Sequence, residues 1–369
     1  MNPSRIALVS PYALGVFGGV QEQVMAMSRE LGRRGHEVLI VAPDRHDRSS
    51  CDTAATVKRF GRLVLLPANG SKAPLTLSPL ASRRALRSIR EFAPDVVHFH
   101  EPFAPLVGWA ALRAHAAPAV GTFHRSGAGP ALDLTRPVLR VLAKGLDAAA
   151  AVSESAATTI ERAAGVHATV LFNGFEMDRF VATPRERSAE TVLLTVGRLE
   201  ERKGTAHAIS AVRAHNAGSE NPWRLVVIGD GPQRARLEAL AGHDEMVVFA
   251  GAVADADKRA WLRRANALVA PATHGESFGL VLLEAMASET VVVASDISGY
   301  REAVGGHGVL FPPGDEAALE AAIAKALTGE TPQAVAAAKD YAQGWSMSAL
   351  VDAYDSLYAT ARERFEAAR

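Results

Sequence analysis

Val192-Leu193-Leu194-Thr195-Val196-Gly197-Arg198-Leu199-Glu200-Glu201-Arg202-Lys203-Gly204 is an apolar, β-branched run, then a glycine, a charged loop and a second glycine. Such a run bounded by glycine reads as a strand buried on both faces, and a helix pattern opens at about Gly204. The same order occurs near the start of the chain. Ile6-Ala7-Leu8-Val9 is followed by a loop ending in Gly18-Gly19, a helix pattern over 20–34, Gly35 as a stop, and Val38-Leu39-Ile40-Val41. Further strand patterns after the first start are 64–66, 96–99, 119–122 and 149–152; after the second they are 225–228, 247–249, 267–269 and 291–293. A βα series that begins twice predicts an α/β protein with two doubly wound, Rossmann-like domains.

A length of 369 residues fits two domains better than one. Residues 178–190, polar and carrying Pro184, read as the junction. The expected layout is therefore 1–180 for the first domain, 181–190 for a linker and 191–346 for the second. A helix pattern over 347–369, with Leu350, Tyr354, Leu357, Tyr358 and Ala361 on one face, is expected to end the chain. Hydrophobic residues make up 48% and charged residues 22%, enough apolar surface for packed cores and far from a disordered composition. Lys plus Arg equals Asp plus Glu at 40 each, which excludes a generally basic, nucleic-acid-coating protein. The single cysteine, Cys51, excludes an internal disulfide and a zinc ribbon, and a reducing cytoplasm fits it. No apolar run approaches the 18 or so residues of a spanning helix, so membrane contact is expected to be peripheral.

Ligands of open α/β sheets sit beyond the carboxyl ends of the strands, which directs attention to five loops. Gly18-Gly19-Val20-Gln21 puts glycines at a helix start, where backbone N–H groups can meet a phosphate; a plain tight turn fits equally. Arg198 and Lys203 bracket a strand-to-helix loop and offer a guanidinium fork and a point charge to a diphosphate. Ile228-Gly229-Asp230-Gly231-Pro232 lacks the third glycine of a dinucleotide fingerprint, which disfavours a dehydrogenase. Glu276-Ser277-Phe278-Gly279 precedes a helix pattern that contains Glu284 eight residues on, and carboxylates there suit sugar and ribose hydroxyls. His98 and His100 alternate onto one face of a strand, and His124-Arg125 follow the next strand; no set of metal ligands is evident, and His124 is the histidine expected at a ligand.

Taken together, these segments, with Gly197-Arg198, Lys203-Gly204 and Glu284-Ala285-Met286-Ala287, resemble the retaining glycosyltransferases of family 4, GT-B type. Pro11-Tyr12, Asn69-Gly70-Ser71, His98-Phe99-His100-Glu101-Pro102, Gly121-Thr122-Phe123-His124 and His274-Gly275-Glu276 are most similar to the actinobacterial members that mannosylate phosphatidylinositol. The resemblance implies two Rossmann-like domains about a central cleft, the last helix returning to the first domain, with acceptor binding in the first domain and donor binding in the second. It implies a donor site of Gly19, Arg198, Lys203, Gly229, Glu276, Ser277, Phe278, Gly279 and Glu284, with His124, Arg198, Lys203 and Glu276 in catalysis. It also implies acceptor contacts from Tyr12, Gln21, Asn69 and Ser71, with GDP-mannose as donor, Mg2+ accompanying the nucleotide, no tightly bound cofactor, and the inner face of the plasma membrane as the place of work. The chain departs from those relatives at Ala68 and Pro74, leaving Lys72 and Arg125 to supply positive charge at the acceptor phosphate. A UDP-sugar with a soluble sugar- or inositol-phosphate acceptor, and a non-catalytic sugar-nucleotide sensor, stay open as alternatives, as does the oligomeric state.

The neutral total conceals a local asymmetry. Residues 53–90 hold Lys58, Arg59, Arg62, Lys72, Arg83, Arg84, Arg87 and Arg90 and no acid, a block of +8 offset by −8 elsewhere. Ser78-Pro79 marks a helix start. Beyond it Arg83, Arg84, Arg87 and Arg90 read as a basic face, suited to an anionic leaflet, with Leu86, Ile89 and Ala93 as a separate apolar stripe. A solvated outer face is the competing reading of the same pattern.

Overall fold

The structure is a computed structural model that describes residues 3–14, 19–43, 53–61, 64–68, 71–75, 78–104, 107–125, 130–181, 190–276 and 278–369, without the side chains of 64–68, 71–75, 107 and 130–134. It divides into two units, Met1–Gly174 with Met347–Arg369, and Phe175–Ser346. The boundary thus falls ahead of the expected one at residue 180, because the short helix at 178–181 belongs with the second unit. Most of the expected linker lies outside the described residues.

In the first unit β1 (Arg5–Val9), α1 (Gly19–Arg33), β2 (Glu37–Pro43), β3 (Thr56–Phe60), β4 (Val64–Ala68) and β5 (Ser71–Leu75) are followed by α2 (Pro79–Phe92) and β6 (Val96–His100). Then come α3 (Val107–Ala114), β7 (Ala119–Phe123), α4 (Pro130–Ala143), β8 (Ala148–Ala151), α5 (Glu154–Ala164) and β9 (Thr169–Val170). The parallel sheet has the order β3-β2-β1-β6-β7-β8-β9, and β4 and β5 form a separate antiparallel pair. The second unit holds α6 (Asp178–Val181), β10 (Thr191–Val196), α7 (Thr205–Asn216), β11 (Trp223–Ile228), α8 (Arg234–Ala241), β12 (Val247–Gly251), α9 (Asp255–Arg264) and β13 (Ala267–Ala270). It continues through α10 (Leu280–Ala287), β14 (Val291–Ser295), α11 (Ser298–Val304), β15 (Val309–Phe311), α12 (Glu316–Thr328) and α13 (Pro332–Gln343). Its six-stranded sheet, β12-β11-β10-β13-β14-β15, repeats the order of the first six strands of the seven-stranded sheet, with no counterpart of β9, so the doubled series is a doubled fold. The chain closes with α14 (Met347–Ala367), which returns to the first unit.

Period-2 alternation decides what each strand offers to either face. From β1, Ile6 and Leu8 join a core with Val24, Met27 and Leu31 of α1 and with Tyr354, Leu357 and Tyr358 of α14. Ala7 and Val9 point the other way, among Ala85 and Ile89 of α2 and Ala111 and Leu112 of α3. Full burial of such a side chain contributes about 1.5–3 kcal/mol, so both faces hold helices firmly. On β6 the same rule sends Val97 and Phe99 to the α2–α3 side, while Val96 joins the α14 side together with His98 and His100, whose rings stack at 4.6 Å.

Helix α2 begins as its sequence predicts: Ser78 accepts from the Ala81 N–H at 3.3 Å, and Pro79 occupies the first turn. Its buried residues are Ala81, Ser82, Ala85 and Ile89. This corrects the expected stripe: Leu86 is only half-buried, and Ala93 lies past the helix end as an exposed, left-handed cap. Arg83, Arg84, Arg87 and Arg90 are all exposed.

Candidate active site

The switch point of each sheet lies between the first strand and the strand that reverses the winding, β1 against β6 and β10 against β13. In the second unit the loops leaving β10 and β13 meet through one carboxylate. Lys203 Nζ lies 2.9 Å from Glu276 Oε1, and the Arg202 guanidinium donates to the same oxygen. Arg202 also donates to Gly275 O at 3.2 Å and through Nε to Glu200 Oε2 at 3.0 Å. Arg198, with 61% of its side chain exposed, reaches Glu200 at 3.3 Å. Three cations thus share two carboxylates, a local surplus of positive charge beside the N-terminus of α7, where the helix adds a further partial positive charge. Arg202, not singled out by the sequence reading, is the cation most fully engaged.

Two glycines assigned to the donor site have a backbone reason as well. A Cβ on Gly229 would stand 1.9 Å from Gly197 O, so a glycine there lets the loops after β10 and β11 touch. Gly279, in the left-handed region at φ 96°, caps α10 without a side chain, and a Cβ there would meet the Tyr300 ring at 2.7 Å. Phe278 is 4% exposed with its ring 4.7 Å from Trp345, which makes the ring a packing group. Glu284 is ion-paired rather than free: Lys258 Nζ sits 2.9 and 3.0 Å from its two oxygens. Lys258 lies 26 residues earlier, on α9, and no local signal links the two. Ser277 lies outside the described residues.

In the first unit the loops after β1, β6 and β7 supply Tyr12, Glu101, His124 and Arg125. Glu101 has a left-handed backbone, φ 49°, and its Oε1 accepts from the His124 N–H at 2.5 Å. Burial raises the Glu101 pKa, opposed by the N–H groups of His124 and Arg125 and by the Arg125 charge. Burial, reinforced by Glu101 and opposed by Arg125, pushes the Tyr12 phenol up to about 12. These groups therefore share one electrostatic neighbourhood. Gln21 is buried in the first turn of α1, and Gly19 opens that helix with nothing within 4 Å of where a Cβ would stand. Asn69 lies outside the described residues. Ser71 and Lys72 lie on β5 at positions whose side chains are not described.

Behind this loop cluster runs a buried polar chain. His98 Nδ1 bonds the Tyr358 hydroxyl at 2.8 Å, its Nε2 bonds Thr122 Oγ1 at 2.7 Å, and Thr122 Oγ1 bonds the Tyr354 hydroxyl at 2.7 Å. His100 Nδ1 lies 3.1 Å from His124 Nε2. Desolvation lowers the His98 pKa to about 3 and the His124 pKa to about 4, and depresses that of His100 strongly, so all three are neutral imidazoles near pH 7. Asn173 bonds the His124 ring in a way that favours its protonated form, hence as an acceptor. His124 Nδ1–H then points to Asn173, and Nε2 accepts from His100.

Comparison with known proteins brings these loops under one heading. The family model described as Glycosyltransferase Family 4 matches residues 17–179, and that described as Glycosyl transferases group 1 matches 177–345. The chain is 35% identical over 334 residues to the Phosphatidyl-myo-inositol mannosyltransferase of Mycobacterium leprae, covering 88% of each chain. The chain belongs to the family 4 glycosyltransferases. A second relative of the same name, from Propionibacterium freudenreichii, is 33% identical over 99% of this chain and 97% of its own. A glycosyltransferase from Rickettsia africae is 18% identical but shares the fold, with a TM-score of 0.77 over 98% of this chain and 99% of its own. As a glycosyltransferase, the chain carries its cationic loops in the unit matched by the group 1 model and its Tyr12–Glu101–His124–Arg125 cluster in the unit matched by the family 4 model.

Proposed function

We propose that this glycosyltransferase moves mannose, with retention, from GDP-mannose to the inositol ring of phosphatidylinositol at the inner face of the plasma membrane. The observation that carries the reading is one pair of facts: near full-length similarity to proteins named phosphatidyl-myo-inositol mannosyltransferase, and an α2 face of four exposed arginines. No helix among the described residues is long and apolar enough to cross a membrane.

The second unit takes the donor. Arg198, the most exposed of the three loop cations, with Lys203 and Arg202, receives the diphosphate and stabilises the charge that grows on it as the sugar leaves. Engagement of those cations by phosphate oxygens releases Glu276, which then accepts hydroxyl groups of the sugar. Gly19, having no steric need of its own within the first unit, is available for close backbone approach of the diphosphate. Neutralisation of the diphosphate charge falls to the Arg and Lys groups of this loop.

Transfer then proceeds on one face of the sugar. The bond from the anomeric carbon to the diphosphate oxygen breaks as the bond to an inositol hydroxyl oxygen forms, and the hydroxyl proton passes to the departing diphosphate. Tyr12, Gln21, Asn69 and Ser71 orient the inositol, while Lys72 and Arg125 balance the lipid phosphate. His124, neutral and bonded through both ring nitrogens, shapes the site and does not exchange a proton.

Thermal shifts with GDP, UDP and ADP test the donor assignment, and a transfer assay with phosphatidylinositol vesicles tests the acceptor. Stabilisation by GDP alone, with radiolabelled mannose appearing in the lipid fraction, is the expected result; stabilisation by UDP alone overturns the donor.

A further inference from the structure

We propose that Tyr300 is a further donor-site residue: its hydroxyl donates to the same hydroxyl of the transferred sugar that Glu276 accepts from. The inference rests on the reading that the second unit takes a sugar nucleotide, and adds to it a contact from the loop after β14.

Strands β10, β13 and β14 are parallel neighbours, so their following loops leave the same edge of the second sheet. The loop after β10 carries Arg202 and Lys203, and the loop after β13 carries Glu276. The loop after β14 is short and leads at once into α11, whose first turn holds Tyr300. Asp296 fixes that turn: its N–H donates to Phe311 O at 2.7 Å, and its Oδ1 accepts from Arg301 Nε at 2.8 Å. The Arg301 side chain is 61% exposed and Tyr300 only 3%, so the turn sends the arginine outward and the phenol inward. The ring lies against Gly279 at the start of α10, too close for any Cβ there.

Packing accounts for the ring and not for the hydroxyl, since phenylalanine would fill the same space beside Gly279. No described residue hydrogen-bonds the Tyr300 hydroxyl, although polar groups this deeply buried are nearly always bonded. The phenol stands within electrostatic reach of the loop charges: burial raises its pKa, Glu276 raises it further and Arg202 opposes. Tyr300 is therefore a neutral O–H donor under all working conditions.

Chemistry selects what it meets. The loop cations are charged donors drawn to phosphate, and Glu276 as a carboxylate only accepts; a sugar hydroxyl has one proton to give and an oxygen that takes a neutral donor. Once the diphosphate has engaged the cations, that hydroxyl donates to Glu276 and its oxygen accepts from Tyr300, a chain in which each bond polarises the next. Bridging of this kind fixes the direction of the hydroxyl and disfavours a sugar that lacks it or turns it away.

Calorimetric titration of the full chain with GDP-mannose and with GDP tests this, and needs no lipid acceptor. Tyr300→Phe removes one oxygen and keeps the ring. Its affinity for GDP-mannose should fall about three- to tenfold, the strength of one neutral hydrogen bond, while its affinity for GDP stays unchanged and shows that the variant is folded. The 2-, 3-, 4- and 6-deoxy forms of GDP-mannose then locate the contact. For one of them the wild type and Tyr300→Phe should bind alike, because the shared hydroxyl is gone; for the others the full ratio should remain. Unaltered GDP-mannose affinity in Tyr300→Phe overturns the proposal, as does an equal loss for GDP and GDP-mannose, or a ratio that persists with all four deoxy donors. A wild type that binds UDP and UDP-glucose but not GDP removes the mannosyl reading instead, and Tyr300 is then judged by the same comparison of UDP-glucose with UDP.

Discussion

His124 illustrates how far a single residue is constrained by its neighbours. With Asn173 accepting on one side, its Nε2 must be bare, and His100 must present Nδ1–H to it across 3.1 Å. An asparagine at 100 can still present an N–H donor; a leucine cannot. In His100→Asn the nitrogen NMR shifts of His124 should keep Nε2 unprotonated, and in His100→Leu the proton should redistribute between the two nitrogens; identical spectra for both variants would remove the orienting role. In the donor loop, Arg198→Ala should lower kcat by about 10²–10³-fold, the usual loss when one preorganised stabiliser of transition-state charge is removed, with a smaller change in donor KM. Full activity in that variant contradicts the assignment. The sequence singles out Arg198, Lys203 and Glu276 because glycines and strand ends punctuate their loops, and the structure brings Lys203 and Glu276 to 2.9 Å. Arg202 was passed over, since its pairing with Glu276 joins loops more than seventy residues apart. The pairing of Glu284 with Lys258 was hidden for the same reason: sequence shows a charge but not its tertiary partner.

At the scale of elements, α14 shows why a terminal helix belongs to the first sheet. Its three- and four-residue apolar spacing was readable, and the buried set Met347, Val351, Tyr354, Leu357, Tyr358, Ala361 and Phe365 follows that spacing. Not readable was that the two tyrosines end in hydrogen bonds to His98 and Thr122. Tyr358→Phe leaves His98 Nδ1 buried without that partner and should cost about 1–3 kcal/mol in urea unfolding of the first unit. Elements that escaped the sequence reading are short or lack alternation, as with β3, β9 and β15, whose residues owe their strand state to the neighbouring ladder. The buried histidines also set a pH dependence. The folded pKa of His98, about 3, lies below the ordinary 6.5, so unfolding takes up a proton at mild acidity. The stability it contributes is complete above pH 6.5 and is lost as pH falls toward the folded value, by roughly 2 kcal/mol at pH 5 for this one group. The urea midpoint of the first unit should therefore decline from pH 7 to 5, mostly above the range in which ordinary carboxylates titrate. A flat midpoint across that interval would show that the network admits protons while folded.

Across the whole molecule, equal numbers of acids and bases coexist with a strongly uneven distribution. The block of +8 in residues 53–90 lies wholly within the first unit and places four of its arginines on one exposed helix. A molecule of this kind has little net attraction to a distant polyanion, yet near an anionic leaflet α2 is drawn in and the compensating acids elsewhere are screened within about a Debye length. Each basic residue near such a surface contributes about 1 kcal/mol, so replacing Arg83, Arg84, Arg87 and Arg90 together by glutamine should weaken partitioning by up to about 10³-fold. Vesicle sedimentation should show this loss at low salt, with the wild type itself released near 1 M salt, while GDP stabilisation in the second unit stays as it was. Retention of the quadruple variant on anionic vesicles would transfer the attachment to another surface; equal binding of the wild type to neutral and anionic vesicles would take electrostatics out of the attachment altogether.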